Sequence, residues 1–255
     1  MPPEIVTLPC LADNYAFLVH APRGGETALV DAPEAAPVLK ALEARGWQLD
    51  QIWLTHHHWD HVEATDEIRA ATGARVFGAG ADAHRLPPLD LALADGDSFA
   101  FAGHEVSVMD VSGHTVGHIA YHIADARAAF TGDSLMALGC GRVFEGTFAQ
   151  MWESLSKLAA LPPETRVFSG HEYTAANARF ALSVEPDNAA LAQRAAQTEA
   201  ARARGRATVP SSLAQELATN PFLRAGQPGI KRALGMENRP DAEVFAEIRR
   251  QKDAF

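Results

Sequence analysis

The sequence predicts an α/β domain followed by an all-helical tail, on three observations. Over the first two thirds, short β-rich runs alternate with turns. Two stretches among them carry apolar residues at helical spacing, and after about Tyr173 the β signal gives way to alanine-rich helical segments.

Taken in order, the strands are expected at Glu4 to Leu8, Tyr15 to His20, Thr27 to Asp31, Gln51 to Leu54, Arg75 to Gly78, Glu105 to Val111, Ile119 to Ile123, Ala128 to Thr131 and Arg166 to Ser169. Helices are expected at Ala35 to Ala44, where Val38, Leu39 and Leu42 precede Gly46, and at Met151 to Leu161, where Trp152, Leu155, Leu158 and Leu161 share a face. In the tail they fall at Ala175 to Val184, Asn188 to Ala203, Ser212 to Leu217 and Asp241 to Lys252. The domain boundary is read near residue 172, giving an α/β domain over 1–172 and a helical domain over 173–255.

At 255 residues, with 47% hydrophobic and 21% charged residues, the chain has ample material for a core. No apolar run approaches the roughly 18 residues of a membrane span, and Met1-Pro2-Pro3-Glu4 carries no basic leader. The chain is therefore read as a cytoplasmic monomer without a membrane partner. Cys10 and Cys140 have no CxxC spacing, so any metal must use histidine and carboxylate. The net charge is -10, yet residues 176–255 hold 12 Lys+Arg against 9 Asp+Glu. Overall acidity opposes nucleic-acid binding, whereas a basic tail suits a small anionic ligand.

Four of the eleven histidines fall within residues 56–61, directly after the apolar run Ile52-Trp53-Leu54. An H-x-H pair leaving a strand presents two imidazoles to one cation, and Asp60-His61 then faces a second. Gly113-His114, Gly132-Asp133 and Gly170-His171 each follow a strand with a glycine and then a metal-ligand residue type. His57 is expected to turn away from the metals, His118 to be structural, Cys140 to be a packed residue, and Asp31 to orient a ligating imidazole or cap a turn. On helical spacing alone, Arg249 and Lys252 read as a solvated face.

The pattern H-x-H-x-D-H with later His, Asp and His resembles the metallo-β-lactamase superfamily over roughly residues 5–175. That resemblance implies an αββα sandwich. It also implies that His56, His58 and His114 hold one metal, that Asp60, His61 and His171 hold the other, and that Asp133 bridges them. Thr55 to His61, Gly139 to Thr147, Gly170 to Thr174, Asn220 to Arg224 and Arg249 to Asp253 narrow the resemblance, over nearly the whole chain, to glyoxalase II, the hydroxyacylglutathione hydrolases. The family's activity would be hydrolysis of S-(2-hydroxyacyl)glutathione, above all S-D-lactoylglutathione, to glutathione and D-lactate, a step in methylglyoxal detoxification.

The resemblance further implies two divalent metals per chain, zinc first and iron or manganese as alternatives. Asp60 and Asp133 would act with a metal-bound hydroxide, and Arg142, Phe144, Tyr173, Arg249 and Lys252 would bind the substrate. The chain departs from the family at Val62-Glu63-Ala64, where a glycine pair is usual, and at Phe144, where a tyrosine hydroxyl is missing. A lactonase or other thioesterase of the same fold is the enzymatic alternative. A binding protein on a decayed hydrolase fold is the alternative outside enzymes.

Overall fold

The computed structural model describes residues 1–22 and 24–255. Its first half is a six-stranded sheet in chain order, formed by β1 (Glu4–Cys10), β2 (Asn14–His20), β3 (Thr27–Val30), β4 (Gln51–Trp53), β5 (Arg75–Ala79) and β6 (Leu91–Leu93). Between these strands run the helices α1 (Ala35–Arg45), α2 (Trp59–Val62) and α3 (Thr65–Thr72). Strands β1 to β3 are antiparallel, and β3 to β6 run parallel, which requires crossover connections, helical between β3 and β4 and between β4 and β5.

The second sheet contains β7 (Ser98–Phe101), β8 (His104–Asp110), β9 (Ile119–Ile123) and β10 (Ala128–Gly132). The short hairpin β11 (Leu135–Met136) and β12 (Gly139–Cys140), helix α4 (Phe148–Ala159) and strand β13 (Arg166–Ser169) follow. The tail adds α5 (Thr174–Val184), α6 (Ala189–Arg202), β14 (Ser211–Ser212), α7 (Leu213–Thr219), α8 (Pro228–Ala233) and α9 (Asp241–Ala254). The order of this sheet is β14-β13-β10-β9-β8-β7.

The two sheets face one another through aromatic side chains. Phe17 lies 5.7 Å from Phe130 and 5.2 Å from Phe168, and Trp53 lies 5.2 Å from Phe101 and 5.5 Å from Tyr121. Trp53 and Tyr121 are fully buried, and the Tyr121 hydroxyl donates to the Leu54 carbonyl at 2.8 Å, so the aromatic core leaves that polar atom satisfied. Met151, Leu155 and Leu158 of α4 pack on the outer face of the second sheet with Val111, Ala120 and Val167. With Val38, Leu42 and Ile68 of α1 and α3 in the core of the first sheet, the layers form an αββα sandwich.

The tail differs from the all-helical expectation at one point. Ser211 and Ser212 pair antiparallel with Val167 and Arg166, adding an edge strand too short for any sequence periodicity. The same Ser212 then caps α7 in a box with Gln215. A similar box between Thr147 and Gln150 starts α4 at Phe148, three residues before the first residue of the expected helix.

Phe180, Phe222, Val244, Phe245 and Ile248 of the tail share one apolar cluster with Leu135, Cys140 and Met151, so the tail packs directly beneath the β11–β12 hairpin. Buried Glu216, ion-paired with Arg194, accepts from the Leu138 amide at 2.9 Å, and Asn220 donates to the carbonyls of Met136 and Gly139. These bonds fix the hairpin, and with it the segment after Cys140 that forms one wall of the site.

Candidate metal centre

Strand β4 ends at Trp53, and the chain then places His56 Nε2 3.2 Å from His58 Nδ1. His114, from the turn after β8, brings its Nε2 to 3.0 Å from the same His58 nitrogen. Beside this trio, His61 Nε2 lies 3.2 Å from His171 Nε2, and Asp60 Oδ2 lies 3.5 Å from the latter. Asp133 sits between the two groups: Oδ2 is 3.5 Å from His114 Nε2 and 3.3 Å from His171 Nε2, and Oδ1 is 3.5 Å from His61 Nε2.

The outer nitrogens of four of these five rings are occupied, which fixes the face each presents, while His58 turns Nδ1 inward. His61 Nδ1 donates to Asp31 Oδ2 at 2.8 Å, His171 Nδ1 to Asp13 Oδ1 at 3.0 Å, and His114 Nδ1 to the Arg142 carbonyl at 2.7 Å. The Thr55 hydroxyl donates to Asp31 at 2.9 Å, so its remaining lone pair accepts from His56 Nδ1 at 3.0 Å. Each of these four rings therefore carries its proton outward and turns a bare Nε2 inward, as metal-ligating histidines do. Asn14 donates to Asp60 Oδ2 at 3.1 Å and holds that carboxylate in place.

The charges fit cations. Burial, then His61 and three further imidazoles, drives the His56 pKa well below its ordinary value, and burial with His114 brings His58 down to about 4. Burial opposes charge on His171, but Asp133, Asp13 and Asp60 outweigh it and raise this pKa to about 9. Burial also opposes ionisation of Asp133, yet His171 and His61 hold it well below the usual carboxylate range. Asp133 Oδ1 is buried with no hydrogen-bond partner among the described residues, an arrangement that costs free energy unless a further group completes it. Five imidazoles and two carboxylates around such an orphan oxygen make a donor set that divalent metals fit.

Two glycines are required here by close approach. Gly132 has a φ of +47°, and a Cβ on it would lie 2.6 Å from Thr55 Oγ1; a Cβ on Gly170 would lie 2.6 Å from His61 Cε1 and 2.7 Å from Asp133 Oδ1.

The ligand atoms open into a cleft of about 550 Å³ whose walls also carry Trp59, Arg142, Phe144, Tyr173, Arg249 and Lys252. Tyr173 stacks on His171 at 4.7 Å with 4° between the rings, and Phe144 lies 5.3 Å from the His114 ring.

Residues 12–171 match the metallo-beta-lactamase superfamily, and residues 172–255 match the hydroxyacylglutathione hydrolase C-terminus. The hydroxyacylglutathione hydrolase of Roseobacter denitrificans is 66% identical over 255 residues, covering all of both chains. That of Ruegeria pomeroyi is 65% identical over the same span, and that of Methylococcus capsulatus is 55% identical over 99% of this chain and 98% of its own. The chain belongs to the hydroxyacylglutathione hydrolase family. The fold has solved counterparts. BLEG-1 B3 metallo-beta-lactamase, at 20% identity, has a TM-score of 0.68 over 86% of this chain and 99% of its own. TTHA1623, solved in a di-iron-bound form and 25% identical, has a TM-score of 0.63 over 86% and 100%.

Against this family background, His57 points away from the cluster and donates to Asp82 Oδ2 at 2.7 Å. His118 Nε2 accepts the Asp133 amide at 3.1 Å while its ring stacks on His56 at 4.6 Å. Cys140 is buried, which pushes its thiol up to about 11.

Arg249 departs from the solvated face that helical spacing alone gave it. It is 4% exposed, donates through Nη1 to the Cys140 carbonyl and through Nη2 to Asp253, both at 2.9 Å, and lies over the Phe222 ring. Arg142 reaches the same Asp253 oxygen at 3.2 Å. Lys252 lies across the Phe180 and Phe255 rings with its ammonium 3.4 Å from the Ala176 carbonyl. Asp13 and Asn14 carry no local signal of these contacts, because their partners lie 158 and 46 residues away.

Proposed function

We propose that the chain hydrolyses S-(2-hydroxyacyl)glutathione, S-D-lactoylglutathione in the first place, to glutathione and the 2-hydroxy acid, acting in the cytoplasm. His56, His58 and His114 hold one divalent cation, Asp60, His61 and His171 a second, and Asp133 serves both. The observation that carries this reading is a floor of converging imidazoles around the orphan Asp133 oxygen, beneath a rim bearing three cationic side chains. Zinc is the metal we assign, because it suits imidazole and carboxylate donors.

Bound there, the two cations supply a water acidic enough to be a nucleophile near neutral pH and a Lewis acid for the thioester carbonyl. The residues around them supply order. Asp31, Thr55 and Asp13 lock three ligand imidazoles in one tautomer, so no rotation accompanies the reaction. In the overall change the carbonyl carbon–sulfur bond breaks and the water oxygen joins the carboxylate. One water proton ends on the glutathione sulfur and the other in solvent. A thiol with a reference pKa of about 8.5 leaves without a dedicated acid. Glutathione carries two carboxylates, and Arg142, Arg249 and Lys252 offer matching donors along the rim.

Lactoylglutathione turnover measured alongside metal content tests the assignment, with about two divalent ions per chain expected. Faster turnover of a lactone would move the chain to another hydrolase activity of this fold.

The rim gives a second expectation. Lys252→Ala should raise KM while leaving kcat and metal content unchanged, with a loss in kcat/KM of about ten- to a hundredfold from one charge-assisted contact. Arg249→Ala should raise KM similarly but also lower the melting temperature, because its guanidinium is buried against Cys140 and Asp253. A wild-type KM in both variants would leave the tail without a role in substrate binding.

A further inference from the structure

The middle imidazole of the metal motif begins a closed ring of polar side chains. His57 Nδ1 donates to Asp82 Oδ2 at 2.7 Å, and Asp82 is fully buried, a position a carboxylate holds only when well paired. Its other oxygen accepts from Arg85 Nε. Arg85 then forks through both terminal nitrogens onto the Glu145 carboxylate, with Nη2 at 3.0 Å, and Glu145 Oε1 returns to within 3.6 Å of His57 Nε2.

The ring joins three separate stretches of chain and holds a fourth. Val116, two residues after the ligand His114, is gripped on both sides: its amide donates to Glu145 Oε2 at 2.8 Å and its carbonyl accepts from Arg85 Nη2 at 3.0 Å. Gly117 lies so close that a Cβ there would stand 2.8 Å from Asp82 Cβ. Glu145 itself belongs to a segment without regular structure that carries Arg142 and Phe144. That segment touches the ligand turn through its backbone, with the Phe144 and Gly146 amides donating to the His114 and Gly113 carbonyls at 3.2 Å.

We propose that Arg85 and Glu145, closed through Asp82 and His57, form a clamp that sets the substrate-binding segment 142–147 against the metal-binding turn. They are positioning residues for the glutathione half of the substrate, an inference that rests on the hydroxyacylglutathione reading. Without the clamp, the segment keeps its backbone bonds, the Arg142–Asp253 pair and the Phe144 ring against His114 and His58, but loses its charged anchor, so the rim loosens while the cluster of ligand atoms stays assembled. A bidentate Arg–carboxylate pair within a network has the directional hold this requires, which an isolated surface pair lacks.

The test uses the metal-loaded enzyme and the variants Glu145→Gln, Arg85→Met and their combination. Lactoylglutathione and a small lactoyl thioester lacking the glutathione peptide serve as substrates, with metal content measured throughout. Each single variant should raise KM for lactoylglutathione about five- to twentyfold with kcat within about threefold of wild type. The double variant should be no worse than the poorer single one, because both changes break the same pair.

Turnover of the small thioester and the number of bound metals should not change. Arg85→Lys keeps the charge and removes the fork, and should give an intermediate KM; it also serves if Arg85→Met fails to fold. Additive losses in the double variant, an equal loss on the small thioester, or lost metal would overturn the clamp. Absence of lactoylglutathione turnover in the wild type would instead overturn the substrate reading beneath it.

Discussion

Asp133→Ala is expected to strip both cations from the protein and abolish most turnover. This side chain faces both ligand groups: its two oxygens lie within 3.5 Å of nitrogens from His114 on one side and from His61 and His171 on the other. Alanine removes one of only two carboxylates from a set of five imidazoles. Losing a buried charged partner of this kind costs about 3–5 kcal/mol, which translates to roughly two to four orders of magnitude in a binding constant.

Because the carboxylate faces both groups, the loss should appear at both metals together, whereas Asp60→Ala should weaken mainly the one shared with His61 and His171. Metal analysis after gel filtration, with turnover on the same samples, distinguishes the two. A variant that keeps two ions and near-normal rate would remove Asp133 from its bridging position.

The cluster of histidines and carboxylates was legible in the sequence because its residues announce themselves locally. His56, His58, Asp60 and His61 fall within six consecutive positions, and His114, Asp133 and His171 each follow a glycine after a β-rich run, so the sheet rims that gather them can be read from pattern alone. Their orienting partners carry no such signal. Asp13 meets His171 across 158 residues, and Glu145 meets Arg85 across 60; a lone acidic residue in a turn looks the same whether or not it has a distant partner. The short strands were hidden for a different reason. Leu91–Leu93 and the two-residue β11, β12 and β14 are shorter than the four or so residues over which alternation becomes detectable, and tertiary pairing makes them.

Helix α3 was missed because its only large buried apolar residue is Ile68, so no stripe forms along Thr65–Thr72. Arg249 was misread in the opposite sense. Val244, Phe245 and Ile248 place a buried stripe on α9, and Arg249 continues it one residue later. A charged residue on such a stripe is a buried one with partners, which the Cys140 carbonyl and Asp253 provide.

Asp31 is where a single change should reach both metals without touching a ligand. Its carboxylate is 2% exposed and accepts three hydrogen bonds, from the Thr55 amide at 2.8 Å, the Thr55 hydroxyl at 2.9 Å and His61 Nδ1 at 2.8 Å. Through Thr55 it also orders His56, so one residue sets the tautomer of an imidazole in each ligand group. Asp31→Ala leaves buried donors unpaired at about 1–3 kcal/mol each, and asks alanine to hold a φ of 56°, so loss of folding stability should accompany loss of metal.

Asp31→Asn separates the two effects. Asparagine tolerates the left-handed backbone and keeps the shape, but it offers an amide N–H₂ where a carboxylate oxygen accepted. One side-chain oxygen still takes the Thr55 amide, while the amide nitrogen faces donors from His61 and the Thr55 hydroxyl. Relief requires one of them to turn, and a His61 that moves its proton to Nε2 can no longer present a lone pair to the site. The variant should therefore unfold near the wild-type temperature yet bind metal about 10- to 100-fold more weakly, the range typical when a ligand's hydrogen-bond partner is removed. Competition against a chelator of known affinity measures this directly. Wild-type affinity for both ions in Asp31→Asn would mean that the His56 and His61 rings are held by packing alone, and that the relay through Thr55 has no part in building the site.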